Sequence, residues 1–273
     1  MTSAPIGIFD SGYGGLTVLK EIKALLPEYD YLYLGDNGRT PYGTRSFETV
    51  YSYTRECVKW LLDKGCNLVI VACNTASAKA LRSIQQNDLP GWAPGKKILG
   101  VIRPTAEILG KKSRKGHIGI LATPGTVSSG SYLIEIEKFS PGVQVTQQAC
   151  PLWVPLIENG EYDEPGADYF VEKYCHELME QDPGIDTVLL ACTHYPLLEN
   201  KIKNYLPRGV QVVSQGNLVA ISLQDYLQRH PELETFCSKN GNLEIYTTDD
   251  PVNFDRQALN FLGYAINSRY VTV

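Results

Sequence analysis

Two kinds of hydrophobic pattern alternate along the chain. Short unbroken blocks rich in Val, Ile and Leu read as strands buried on both faces. Longer stretches with apolar residues at helical spacing read as amphipathic helices. Pro5-Ile6-Gly7-Ile8-Phe9 is the first block, and the glycine turn Asp10-Ser11-Gly12-Tyr13-Gly14-Gly15 follows it. A helix with Leu16, Leu19, Ile22 and Leu26 on one face comes next and stops at Pro27. Tyr31-Leu32-Tyr33-Leu34 predicts the second strand. The turn Pro41-Tyr42-Gly43 then leads into a long helix with Phe47, Val50, Tyr51, Val58, Leu61 and Leu62 along a core stripe. Leu68-Val69-Ile70-Val71 is a third strand running into Cys73, with a helix expected over about residues 77–86. Such β-α alternation predicts parallel sheets with helices on their faces.

A second unit echoes the first. Ile118, in His117-Ile118-Gly119-Ile120-Leu121, stands 112 positions after Ile6. Thr123-Pro124-Gly125-Thr126 replaces the glycine turn, and Val143-Gln144-Val145 with residues 151–155 replaces the second strand and its proline turn. A helix carrying Ala167, Phe170, Val171, Tyr174 and Leu178 matches the long helix. Thr187-Val188-Leu189-Leu190-Ala191 then delivers Cys192, 119 positions after Cys73. The similar offsets predict a duplicated α/β unit. Residues 98–116 join the halves through a short strand, a helix after Pro104 and a basic, solvated helix end at Lys111, Lys112, Arg114 and Lys115. After Pro207 come a strand at 210–213, a helix near 218–227, a strand at 243–246 and a last helix. This tail has no copy, and its pattern leaves open which sheet it completes.

Composition narrows the class. The 273 residues are 43% hydrophobic and 20% charged, ordinary values for a globular chain. A net charge of −5 argues against nucleic acid or an anionic membrane as principal partner. No apolar run has the length of a membrane span, and the first residues lead into a strand without a signal-peptide pattern, so a cytoplasmic location is expected. Seven cysteines, with no C-x-x-C, argue against a disulfide scaffold, a structural zinc site or a thioredoxin-type dithiol. Cys57, Cys66, Cys150, Cys175 and Cys237 read as inert buried thiols.

Cys73 and Cys192 differ from these because each ends a strand, where open α/β sheets bind ligands. Either one alone reads equally well as a small buried hydrophobe; a matched pair weakens that reading. Two thiols on opposite walls of a cleft suit proton removal from one face of a carbon and delivery to the other, which is racemisation or epimerisation. A free thiol is only about 3% ionised at pH 7, so the helix starting after each cysteine and the proton-handling groups Asp10 and His194 acquire a purpose. Cys192 and His194 also fit a Cys/His hydrolase, in which Cys73 would be idle. A solute-binding cleft without turnover needs no thiol pair. The glycine turn lacks the complete phosphate-binding signatures, and Asp10 at its mouth would repel phosphate. Ser11 and the turn amides read as carboxylate binders or as a tight structural turn. Asn74, Thr75 and Thr193 are neutral donors that also cap helices. No spacing suits a metal ion, and nothing calls for a nicotinamide, flavin or pyridoxal cofactor.

Taken together, Asp10-Ser11-Gly12-x-Gly14-Gly15-Leu16, Gly35-Asp36 with Pro41-Tyr42-Gly43, Ala72-Cys73-Asn74-Thr75-Ala76-Ser77 and Cys192-Thr193-His194-Tyr195-Pro196-Leu197-Leu198 have a known counterpart. The chain resembles the cofactor-independent glutamate racemases of bacterial peptidoglycan synthesis, in the aspartate/glutamate racemase family. The resemblance implies two similar three-layer α/β domains with mainly parallel sheets, pseudo-twofold related around a central cleft. Residues 1–98 plus 208–273 would form the first, on the Cys73 side, and 99–207 the second, on the Cys192 side. It implies interconversion of L- and D-glutamate without cofactor or metal, in a cytoplasmic homodimer that supplies D-glutamate for the cell wall. Cys73 would act on D-glutamate and Cys192 on L-glutamate, assisted by Asp10, His194 and Glu158 of Ile157-Glu158-Asn159-Gly160. Asp10, Ser11, Pro41, Tyr42, Gly43, Asn74, Thr75, Thr126, Thr193 and His194 would hold the amino acid. The chain departs from the family pattern at Ala191, where glycine commonly precedes the second cysteine; at Arg103, where an acidic residue is common; and at Ser214, where an aspartate often ends the tail's first strand. Ala191 could tighten the cleft, while Arg103 and Ser214 bear on regulation and domain contacts more than on chemistry.

Overall fold

The computed structural model describes residues 2–273. Its strands are β1 Ile6–Asp10, β2 Tyr31–Gly35, β3 Leu68–Val71, β4 Lys97–Gly100, β5 His117–Ala122, β6 Gln144–Ala149, β7 Thr187–Ala191, β8 Gln211–Ser214, β9 Leu243–Thr247 and β10 Arg269–Tyr270. They form two sheets, ordered β10-β9-β2-β1-β3-β4 and β6-β5-β7-β8, with parallel pairing throughout. The inner run β2-β1-β3-β4 has the same order as β6-β5-β7-β8, so the duplicated unit is visible as a repeated topology. β1, β2, β3 and β7 are buried along their whole length, which is why their sequences are unbroken apolar runs rather than alternating ones.

The tail divides between the sheets. β8 pairs with β7, Thr187 opposite Gln211, and so lies in the second sheet, across the boundary expected at 207/208. It closes the second unit as β4 closes the first. Helix Gln215–Arg229 then carries the chain back to pack on helix Leu16–Leu25, and β9 and β10 extend the first sheet beside β2.

Several elements differ in detail from the sequence expectation. The helix expected over 77–86 begins at Asn74, directly after Cys73, and continues through a wider turn at Ile84–Asp88 to Trp92. Helix Ile102–Lys112 starts before Pro104, which occupies its first turn, where a missing N–H costs no helical bond. Phe47 opens helix Phe47–Asp63 and is 48% exposed, whereas Val50, Val58, Leu61 and Leu62 are buried as the stripe predicts. Helix Ser131–Phe139 had gone unpredicted, because Gly130 alone (φ 64°) separates it from Pro124–Ser129. One apolar core joins Ile6, Ile8, Leu16 and Leu19 to Trp153, Leu190 and Tyr195. The two sheets therefore share a continuous seam, with Cys192 in that core and Cys73 in the neighbouring cluster of Phe9, Tyr42 and Val71.

Candidate active site

Cys73 sits where β3 ends and helix Asn74–Lys79 begins, and its side chain takes the cap position. The sulfur accepts from the Ala76 N–H at 3.4 Å and from the Ser11 hydroxyl at 3.3 Å. Burial pushes the thiol up to about 12, the nearby Asp10 charge adds to the rise, and the Ser11 and Ala76 bonds oppose it. These surroundings favour the protonated thiol at Cys73.

Cys192 follows β7 and has a different partner. Its sulfur lies 3.9 Å from His194 Nδ1, and His194 Nε2 lies 3.0 Å from Glu158 Oε1. Glu158 is delivered by the last residue of helix Trp153–Glu158. Burial of the ring alone would lower the His194 value. Its hydrogen bonds to Cys192 and Glu158, together with their charges, more than offset this and raise it to about 10. These partners favour the charged form of the His194 ring.

Asp10 ends β1 and is fully buried. One carboxylate oxygen accepts from the Gly12 N–H at 3.0 Å, and the other from the Thr193 hydroxyl at 3.5 Å. Burial raises its carboxyl, while the His194 charge and the N–H groups of Gly15 and Gly12 pull it back. Ser11 thus touches Cys73, and its neighbour Asp10 touches Thr193, next to Cys192. A charge on Cys192 also disfavours ionisation of Cys73, so the two sulfurs are near enough to feel each other's charge. The glycine turn supplies the room. A Cβ on Gly14 would collide with Thr193 Oγ1 and His194 Nδ1, and one on Gly15 with the Asp10 carboxylate. Thr17 Oγ1 fastens the turn by donating to the Thr193 carbonyl at 2.9 Å.

The remaining expected residues fall around this centre with unequal freedom. Thr75 and Thr123 hydroxyls meet at 2.9 Å, and Thr123 and Thr126 at 3.1 Å. The Gly125 N–H donates to the Gly43 carbonyl at 2.8 Å, which seats the exposed Pro41 and its loop against the second unit. The Tyr42 ring is buried and its hydroxyl donates to Asp36, so the side chain is committed and only the backbone is free for a ligand. The Asn74 amide is bonded to Tyr132 and Gln215 and keeps one N–H.

Sequence reasoning missed Thr17, Thr123, Tyr132, Gln215, Gln257 and Phe261. Thr123 was findable, since it opens the second unit's turn as Asp10 opens the first. Gln257 donates to the Glu158 carbonyl at 3.2 Å, and the Phe261 ring meets His194 edge-on with centroids 5.5 Å apart. Both come from the uncopied tail, where no pattern marks them. Ala191 does not tighten the cleft: it is buried in the layer with Ile118, Ile120 and Leu109. Arg103 pairs with Glu107 at 3.0 Å, and Ser214 donates to Glu199 at 2.6 Å. The other five cysteines are buried and unpaired, and burial pushes Cys66 and Cys175 up to about 12 and Cys237 to about 11. Among the described residues no cluster of three or more His, Cys, Asp or Glu is disposed to hold a metal ion, and no helix is long and apolar enough to cross a membrane.

Fold and site define an α/β protein whose two duplicated units each bring a thiol to one shared, buried centre. Residues 7–222 match the Asp/Glu/Hydantoin racemase family, and the chain belongs to that family. It is 41% identical to the glutamate racemase of Geobacter metallireducens, over 97% of this chain and 95% of that one. Its fold matches glutamate racemase isoform RacE1 from Bacillus anthracis with a TM-score of 0.90 at 36% identity, covering 100% of this chain and 99% of that one. It also matches the Francisella tularensis glutamate racemase in complex with D-glutamate, with a TM-score of 0.87 at 29% identity, covering 100% and 98%.

Proposed function

We propose that the protein is a cofactor-independent glutamate racemase, transferring the α-proton between Cys73 and Cys192. The observation that carries this reading is that both cysteine strand ends reach one centre with opposite protonation partners. Cys192 has His194 Nδ1 3.9 Å from its sulfur with Glu158 behind the ring, a pair able to take and return the proton of that thiol. Cys73 has a buried carboxylate nearby and is held as a thiol. From L-glutamate, the Cys192 thiolate takes the Cα proton, and the electron pair left on Cα spreads into the α-carboxylate. Cys73 then gives its proton to the opposite face, which leaves a thiol at Cys192 and a thiolate at Cys73. D-Glutamate runs the same steps in reverse. Asp10 and His194 with Glu158 return the thiols to their starting forms by proton exchange. Ser11, Asn74, Thr75, Thr126 and Thr193, with the backbone of residues 41–43, hold the amino acid through neutral donors.

A Cys/His hydrolase would use Cys192 and His194 alone and leaves the placement of Cys73 against Ser11 unexplained. The D-glutamate in the Francisella tularensis relative supports the substrate. The proposal extends to a cytoplasmic homodimer that supplies D-glutamate to peptidoglycan, each chain forming two domains around the cleft. The test is circular dichroism of L-glutamate after addition of purified protein, with L-aspartate in parallel. The signal should decay to zero for glutamate and persist for aspartate. A glutamate signal that persists overturns the reading, and decay with aspartate alone reassigns the substrate.

A further inference from the structure

The Asn74 carboxamide is one corner of a closed ring of buried hydrogen bonds. Its Nδ2 donates to Gln215 Oε1 at 2.6 Å, Gln215 Nε2 donates to the Tyr132 hydroxyl at 2.6 Å, and that hydroxyl donates to Asn74 Oδ1 at 2.7 Å. The second N–H of Gln215 goes to Thr105 Oγ1 at 3.0 Å, whose own proton goes to the Val101 carbonyl at 2.7 Å. Tyr132 and Thr105 are 0% exposed, Asn74 2% and Gln215 3%. The ring alone could run either way if both amides turned over together; the Thr105 contact fixes its sense, because the Thr105 proton is given to Val101 and the Gln215 group facing Thr105 must therefore be the NH2. Turning the Gln215 amide over alone would face its NH2 against that of Asn74, and turning both over would face the Gln215 oxygen against Thr105 Oγ1, whose proton goes to the Val101 carbonyl. Gln215 then has no donor left for a ligand, whereas Asn74 keeps one N–H beside Cys73.

We propose that Gln215 is a positioning residue: with Tyr132 it fixes the Asn74 amide so that its one uncommitted N–H is presented to a carboxylate oxygen of bound glutamate. The ligand in this inference rests on the racemase reading. The ring draws on the helix after Cys73, the linker helix Ile102–Lys112, helix Ser131–Phe139 of the second unit and the first residue of helix Gln215–Arg229. It therefore sets one substrate donor relative to both halves of the site. A residue needed only for stability would leave substrate affinity alone.

The experiment compares Gln215→Met, Tyr132→Phe, Asn74→Ala and the Gln215→Met/Asn74→Ala double variant. Gln215→Met should raise KM for both enantiomers about tenfold, because a contact to bound substrate is lost, with a smaller change in kcat. The double variant should show no higher KM than Asn74→Ala. Tyr132→Phe removes one hydroxyl without opening a cavity and should show a smaller rise, which keeps the test intact if Gln215→Met fails to fold. Unchanged KM in the folded variants, or KM effects that multiply in the double variant, overturns the proposal. NMR exchange of the Asn74 side-chain amide in ligand-free protein separates this from the racemase reading. The amide should be protected in wild type and released in Gln215→Met, whether or not glutamate is turned over. A freely exchanging amide in wild type overturns the ring's role, while an inactive wild type with a protected amide overturns only the racemase reading.

Discussion

Gly14→Ala adds a single methyl group to the glycine turn and probes the geometry of the whole Cys192 side. Gly14 has no positive φ, so alanine meets no conformational penalty there and only space is lacking. The new Cβ would lie 2.7 Å from His194 Cε1, and closer still to Nδ1 and to Thr193 Oγ1. Ordinary contact begins at 3.4 Å, and the closer Nδ1 decides how far the imidazole must retreat, about 1 Å; a displacement of that order at a reacting group costs about a hundredfold. The ring cannot retreat freely. Glu158 holds it at 3.0 Å, Phe261 meets its edge, and Thr17 pins the Thr193 carbonyl. Overpacking of this kind also costs about 1–3 kcal/mol of stability. We expect a folded protein with a lowered Tm and kcat/KM for glutamate down about a hundredfold, followed by circular dichroism from either enantiomer. Gly91→Ala, where an added Cβ meets nothing within 4 Å, serves as the neutral control. A Gly14→Ala enzyme turning over within about threefold of wild type would show that Thr193 and His194 do not rest against the turn.

Cys73→Ser and Cys192→Ser should each lower racemisation in both directions by about a thousandfold or more, because every turnover needs one acid and one base; near wild-type turnover in either variant contradicts the paired-thiol reading. Asp10→Asn should lower kcat more than it raises KM, as expected for a group that serves proton transfer, and a pure KM effect would move Asp10 to the binding set. The pH dependence of stability tests the Glu158–His194 pair. The His194 value is raised to about 10, so the stabilisation from its partners is complete below the ordinary value near 6.5 and is lost as pH rises through about 10. Glu158→Gln should melt below wild type at pH 7, with the gap in Tm closing above about pH 10; a gap that stays constant would place the His194 charge elsewhere.

What was legible in the sequence is what periodicity and repetition encode. Strands such as Leu68–Val71 and Thr187–Ala191 are buried on both faces and so announce themselves as apolar runs, and the cysteines at their ends inherit a location from the fold. The proposed acid/base partners could be picked out where they share a motif with a cysteine, as His194 does, or open a glycine turn, as Asp10 does. Commitments between distant residues could not. Tyr42 is followed by nothing in the sequence that reveals its hydroxyl is taken by Asp36. Gln215 and Asn74 are 141 positions apart, and a lone glutamine at a helix start carries no periodic signal. The division of the tail was hidden for a related reason: strands β8 and β9 are both half-exposed, and pairing with β7 or β2 depends on crossovers that local pattern does not record. Ala191 shows the converse error, because in a strand the neighbour of a site residue points to the other face.

The central claim, that Cys73 and Cys192 work on opposite faces of one carbon, is tested most directly by the origin of the delivered proton. The reaction is started from one enantiomer of glutamate in deuterium oxide and stopped at low conversion. The enantiomers are then separated and weighed by mass spectrometry. In the two-thiol scheme the proton taken by one sulfur is never the one delivered, and the delivering thiol has already exchanged with solvent. The first product molecules should therefore carry deuterium at Cα, while recovered substrate carries little. Product that retains a large share of the substrate's own α-proton would mean that a single group serves both faces, and would contradict the account even if both cysteines proved essential.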